Sequence, residues 1–224
     1  MLKYAQIVSF SINQFPFDKV LAAGVFRVPK LDRLHVDWAE KTRNPEPAYA
    51  DNLKLRGRMQ NLSDDSAFYR IYHAWVASVI APKFGKRISY SAHPKMRVHL
   101  AGTGSVSDFH RDADVTGRSD QINCYLPFTD VFESNTLWCE SVYGSRDYQP
   151  INLKYGEALI WDGGLLEHGT FRNETSQTRV SCDFRFSVQN PDLVREPWSK
   201  ILSGRTGAAS QGPLPDLLKL PNTV

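Results

Sequence analysis

The chain has 224 residues, of which 42% are hydrophobic and 12% aromatic, and its formal net charge is +3. That apolar content supports a packed core and excludes a disordered chain, and the length suits one large domain. Neither nucleic acid nor a membrane is an expected partner, because no dense Lys/Arg cluster interleaves with aromatics and no apolar run reaches the roughly 18 residues that span a bilayer.

The first residues, MLKYAQIVSFSINQF, lack the apolar core and cleavage site of a signal peptide, so a cytoplasmic protein is expected. A short helix is predicted from Phe17 to Ala23, ended by Gly24. Residues 41–60 carry many charges and two prolines and read as an irregular loop or lid. Between Asp64 and Lys83, Phe68, Ile71, Tyr72, Trp75, Val79 and Ile80 recur at helical spacing. They predict an amphipathic helix capped by Ser63 and closed by Pro82 and Gly85. From about Met96 to Val188 short runs alternate with glycine-bearing turns: MRVHL, INCYLPF, TLWCESV, INLK, EALIWD, EHGTF and TRVSCDFRFSV. This is the texture of a sandwich or a barrel of jelly-roll type. Cys124, Cys139 and Cys182 are odd in number and lie in apolar runs, which predicts buried free thiols in a reducing compartment. Beyond Asn190 the chain becomes rich in Pro, Gly and Ser, as expected of a tail that wraps the surface. The expected organisation is a single mainly β (α+β) domain: helical or irregular support over 1–90, a β core over 91–190 and a C-terminal tail over 191–224.

The stretch DFHRDAD carries the first chemical signal. In an extended strand alternate side chains share a face, so His110 and Asp112 would present an imidazole nitrogen and a carboxylate oxygen together. A third ligand is available downstream in EALIWDGGLLEHG, where His168 follows a double glycine. His35, His73 and His93 lie in regions without a matching pattern, and His99, just before the motif, is the weaker alternative. Eleven residues past His168, Arg179 opens an alternating strand that sets Ser181, Asp183 and Arg185 on its own face and Val180, Cys182, Phe184 and Phe186 on the other. Two arginines on one face need partners or solvent, so a solvated strand with an apolar underside is the competing reading. Two histidines and one carboxylate leave coordination positions open, which suits non-haem Fe(II). A guanidinium beside a hydroxyl suits a carboxylate. A dicarboxylic 2-oxo acid meets both requirements.

The ordered set His110-x-Asp112, His168 and Arg179-x-Ser181 resembles the signature of Fe(II)/2-oxoglutarate-dependent oxygenases. FHRDAD, INCYLPFTDVFESNTLWCES, YGEALIWDGGLLEHGT and TRVSCDFRF resemble, within that superfamily, small bacterial enzymes of the streptomycin-biosynthesis oxygenase-like group. The likeness covers roughly residues 96 to 188. It implies a double-stranded β-helix (jelly-roll/cupin-like) with the N-terminal helices packed outside. It further implies His110, Asp112 and His168 as iron ligands, Arg179 and Ser181 as the 2-oxoglutarate receptor, and Asn123 as a polar neighbour of that co-substrate. The cofactors implied are Fe(II), 2-oxoglutarate and O2, and no catalytic residue is expected beyond the metal site. Because Asp112 keeps the carboxylate that related halogenases lack, hydroxylation of a small polar natural-product, amino-acid or sugar-like substrate is expected, with release of succinate and carbon dioxide. Arg185, Arg97, Arg118 and Trp138 are the candidate substrate-binding residues, with Arg185 alternatively paired to Asp183 and Tyr125 a further candidate wall. A cupin-like metal-binding or sensor protein, and a Zn(II) or Mn(II) isomerase or hydrolase, are the competing functions. Both leave Arg179 without a purpose.

Overall fold

The computed structural model describes residues 5–85, 87–118, 120–188 and 217–219. The expected C-terminal tail lies outside the described residues apart from that last short segment. The chain opens with β1 (Ala5–Ser9), followed by α1 (Phe17–Leu21), α2 (Leu34–Thr42), α3 (Tyr49–Gln60) and α4 (Ala67–Trp75). Next come β2 (Ile88–Ser91), β3 (Lys95–His99), the short α5 (Asp112–Thr116) and β4 (Ile122–Pro127). The remaining strands are β5 (Trp138–Cys139), β6 (Gln149–Pro150), β7 (Glu157–Trp161), β8 (His168–Gly169), β9 (Arg179–Val188) and β10 (Leu217–Lys219).

All strand pairs are antiparallel. The larger sheet runs β1-β7-β4-β9-β2-β10, with β3 also joined to β9, and a smaller sheet runs β6-β5-β8. β9 is the spine of the larger sheet. One edge pairs with β4, while the other pairs with β3 along its first half and β2 along its last residues.

The alternation read from TRVSCDFRFSV holds. Val180, Cys182, Phe184 and Phe186 are buried in the main core with Phe17, Phe68, Tyr72, Trp75 and Ile80 from the helices. The helices therefore cover one face of the larger sheet. On the opposite face a second cluster, including Tyr125, Leu137, Leu159, Trp161 and Leu166, fills the space toward the smaller sheet. The site lies on that second face, between the two sheets. All three cysteines are free and buried. Among the described residues no helix is long and apolar enough to cross a membrane.

Several local expectations are corrected. The helix expected from Asp64 is capped by Ser66, not Ser63: Ser66 is extended and its hydroxyl accepts from the Tyr69 N–H. Asp64 and Asp65 belong to the turn before it. That helix continues from α4 through a π-helical turn at Val76–Ile80 and a 3₁₀ turn to Gly85, whose positive φ of 73° ends it. The first helix is not stopped by Gly24, since a π-helical turn carries the chain through Ala22–Phe26 to a left-handed Arg27. Residues 41–60 are not a loop or lid. Most of that segment is α3, whose Leu55 and Met59 are wholly buried, and Asn52 accepts from the Leu100 N–H and donates to Thr103. INLK forms only an isolated bridge between Leu153 and Val131.

Candidate metal centre

His110 and Asp112 do not sit in one strand. His110 forms an isolated antiparallel bridge with His168, and Asp112 begins α5. Arg111 between them is extended (φ −108°, ψ 134°), so alternation still turns the two side chains to one side. The bridge places the second histidine. His110 N–H donates to the His168 carbonyl at 2.9 Å and His168 N–H returns the bond at 3.0 Å. Residues directly opposite in an antiparallel pair project from the same face. The two imidazoles accordingly lie with ring centroids 4.7 Å apart.

Each ring is oriented by its own chain. His110 Nδ1 lies 2.7 Å from the Asp108 carbonyl and His168 Nδ1 2.9 Å from the Leu166 carbonyl. A carbonyl only accepts, so Nδ1 carries the proton in both rings and Nε2 presents its lone pair. His110 Nε2 is 3.4 Å from Asp112 Oδ1, and one ligand atom from each of His110, Asp112 and His168 lies within 4.8 Å of the others. Two imidazole nitrogens and a carboxylate oxygen are a donor set for a divalent first-row metal ion.

Asp112 is held by Asn123, whose Nδ2 donates to Oδ2 at 2.5 Å. The Asp112 and Ala113 N–H groups donate to the Gly163 and Gly164 carbonyls. Gly163 must be glycine for space: a β-carbon there would stand 2.7 Å from the Asn123 amide and 2.9 Å from Trp161 Nε1. Burial opposes the charge of Asp112, yet His110, His168, Asn123 and Arg185 together hold its carboxyl below the usual range. The Asp112 carboxylate raises the His110 imidazole, whereas burial lowers that of His168.

The three residues line a cavity of about 110 Å³ together with Lys95, Arg97, Asn123, Tyr125, Trp161, Thr170, Arg179, Asp183 and Arg185. Arg179 is 2% exposed and Ser181 is wholly buried. Arg179 Nε and Ser181 Oγ have no hydrogen-bond partner, nor do Asn123 Oδ1, Trp161 Nε1 and the Tyr125 hydroxyl. Burial disfavours the Arg179 cation, and Tyr125 beside it offsets this in part. A buried guanidinium nitrogen left unpaired in a cavity wall is costly unless a ligand completes it; Ser181, one alternation along β9, is buried but does not line the cavity.

The other candidates divide. Arg97 donates through Nε to Asp183 at 2.8 Å, so it is Arg97 and not Arg185 that pairs with Asp183. Arg185 lines the cavity. Arg118 and Trp138 are not in the cavity wall: Arg118 is engaged by Asp120 through two bonds of 2.9 and 2.5 Å. Trp138 donates to the Glu133 carbonyl and packs edge-on against Phe171. Asn123 contacts the carboxylate ligand itself. His99 stays apart from the three candidate ligands, buried opposite Arg179 in the β3–β9 register. Lys95 and Trp161 are among the cavity residues that went unnoticed in the sequence. Lys95, exposed at the cavity mouth, shares one face of β3 with Arg97, a period-2 relation that was available. Trp161 reaches the site only through its register with Asn123, which no local pattern announces.

No family model matches the sequence. Over 92 residues the chain is 37% identical to the streptomycin biosynthesis protein StrG of Streptomyces griseus, a match that covers 41% of this chain and 43% of StrG. The chain thus spans less than half the length of that relative. Among solved structures, the nickel complex of the non-heme monooxygenase ThoJ matches with a TM-score of 0.51 at 13% identity, over 83% of this chain and 75% of ThoJ. CytC3, solved with Fe(II) and alpha-ketoglutarate, matches with a TM-score of 0.50 at 13% identity, over 84% of this chain and 73% of CytC3. The fold is shared.

Proposed function

We propose that this protein is a non-haem Fe(II)- and 2-oxoglutarate-dependent oxygenase, one double-stranded β-helix domain that hydroxylates a small polar natural-product intermediate in the reducing cytoplasm. The observation that carries the reading is the meeting of three metal-donor side chains and the buried Arg179 in one cavity. His110, Asp112 and His168 converge with no fourth His, Cys, Asp or Glu among the described residues, and Arg179 Nε and Ser181 Oγ lie buried without a hydrogen-bond partner on the adjoining strand face. A diacid spanning them satisfies both. A metal-binding barrel without a co-substrate leaves the guanidinium and hydroxyl unexplained.

In this reading His110, Asp112 and His168 hold iron, and Arg179 and Ser181 bind the far carboxylate of 2-oxoglutarate. When bound, the iron supplies activation of dioxygen coupled to oxidative decarboxylation of 2-oxoglutarate to succinate and carbon dioxide. The chain's own residues set the geometry. The two Nδ1 bonds hold both imidazoles in the ligating tautomer, and Asn123 holds the carboxylate. The likeness to StrG, a streptomycin biosynthesis protein, supports the assignment to natural-product chemistry.

Anaerobic addition of Fe(II) and 2-oxoglutarate should produce the visible charge-transfer absorption of an iron-chelated 2-oxo acid, and air should then yield succinate. Neither appearing would sink the reading. Arg179→Ala should weaken 2-oxoglutarate by about tenfold or more, the scale of a charge-assisted hydrogen bond, while leaving iron affinity nearly intact.

A further inference from the structure

Resting on the oxygenase reading, we infer that the substrate carries a dianionic phosphate group, received at the cavity end by Arg185 and Lys95. β9 runs from a buried end to a more open one, from Arg179 and Ser181 to the partly exposed Asp183 and Arg185. β3 runs alongside with Arg97 opposite Ser181 and Lys95 opposite Asp183. The outer half of the cavity therefore gathers Lys95, Arg97 and Arg185 around one carboxylate, Asp183, which is engaged by Arg97. Among the described residues no ion pair or side-chain hydrogen bond holds Arg185 or Lys95.

The charge balance identifies the ligand class. Fe(II), Asp112, the 2-oxoglutarate dianion and Arg179 neutralise one another, so the surplus of two positive charges at the outer end is not consumed by the co-substrate. The repulsion is felt within the protein: Arg97, burial and Arg185 all weaken the hold of Lys95 on its proton. A phosphate ester brings close to two negative charges and several acceptor oxygens, which matches a guanidinium fork beside an ammonium. Ser91, whose hydroxyl donates to the Arg185 carbonyl at 3.3 Å, anchors the backbone of that receptor.

The test uses the full chain loaded anaerobically with Fe(II) and 2-oxoglutarate, whose visible absorption reports the oxygenase reading separately. Methyl phosphate and acetate are titrated calorimetrically into the same complex. Methyl phosphate should bind at least tenfold more tightly than acetate and leave the absorption in place. Arg185→Gln should weaken methyl phosphate by about tenfold or more, the scale of a charged hydrogen bond, and Arg185→Lys should restore most of it. The inference is overturned if wild type gives no heat with methyl phosphate, if acetate binds as tightly, if Arg185→Gln binds unchanged, or if methyl phosphate erases the absorption by displacing the co-substrate. In the first three outcomes an intact absorption band leaves the oxygenase reading standing.

Discussion

His99 is fully buried opposite Arg179, with Nδ1 unpartnered and Nε2 3.4 Å from the Thr103 carbonyl. Burial, then the Arg179 charge, lowers its pKa from 6.5 to about 3. The folded protein therefore holds it neutral, while the unfolded chain takes up a proton as the pH falls through 6.5. Its contribution to stability is complete above that pH and is lost progressively toward pH 3, at up to about 1.4 kcal/mol per pH unit. Urea midpoints of His99→Gln should accordingly fall less steeply than wild type between pH 6.5 and 4, and parallel slopes would show that His99 is not the group responsible. Asn123 acts through a different contact. Losing the amide that holds Asp112 should weaken Fe(II) about 10- to 100-fold in Asn123→Ala, the range for a residue that orients a ligand, as read by metal titration. Gly163→Ala should do the same by pushing that amide aside, with the secondary structure unchanged in circular dichroism.

At the scale of elements, α3 separates a structural helix from a mobile cover. Leu55 and Met59 are wholly buried, and Asn52 ties the helix to the turn after β3. Leu55→Ala should cost about 2–5 kcal/mol in the unfolding free energy. A lid would instead show a change in turnover at constant stability. This helix was hidden in the sequence because its inward face mixes Asp51 and Asn52 with two apolar anchors, and nearby charges and prolines resemble a loop. β9 was legible for the opposite reason: four apolar residues alternate strictly with Arg179, Ser181, Asp183 and Arg185, and no other element gives that period. The HxD pair lies between these cases. Its residues were visible as candidate ligands, but their convergence comes from the His110–His168 bridge, a long-range pairing that local periodicity does not contain.

For the whole molecule, the main sheet is closed at one side by its earliest strand. β1 pairs along the full length of β7, from Ala5 opposite Trp161 to Ser9 opposite Glu157. Removing residues 1–9 would uncover the β7 edge, so the truncated chain should melt lower and scatter light increasingly with concentration. The sequence placed this segment in a helical or irregular support. Its pairing partner lies some 150 residues away, and nothing local reports such a distance. The two faces of β9, by contrast, followed from alternation, while the helices packed outside the β core were implied by the family resemblance. The doubly bordered spine has a consequence for how this scaffold can change. With neighbours on both edges, β9 cannot slide without breaking two ladders, and at roughly 3.3 Å per residue its first and seventh residues are kept about 20 Å apart. It is a ruler of fixed gauge, and new specificities must be written on its odd-numbered marks rather than by moving them.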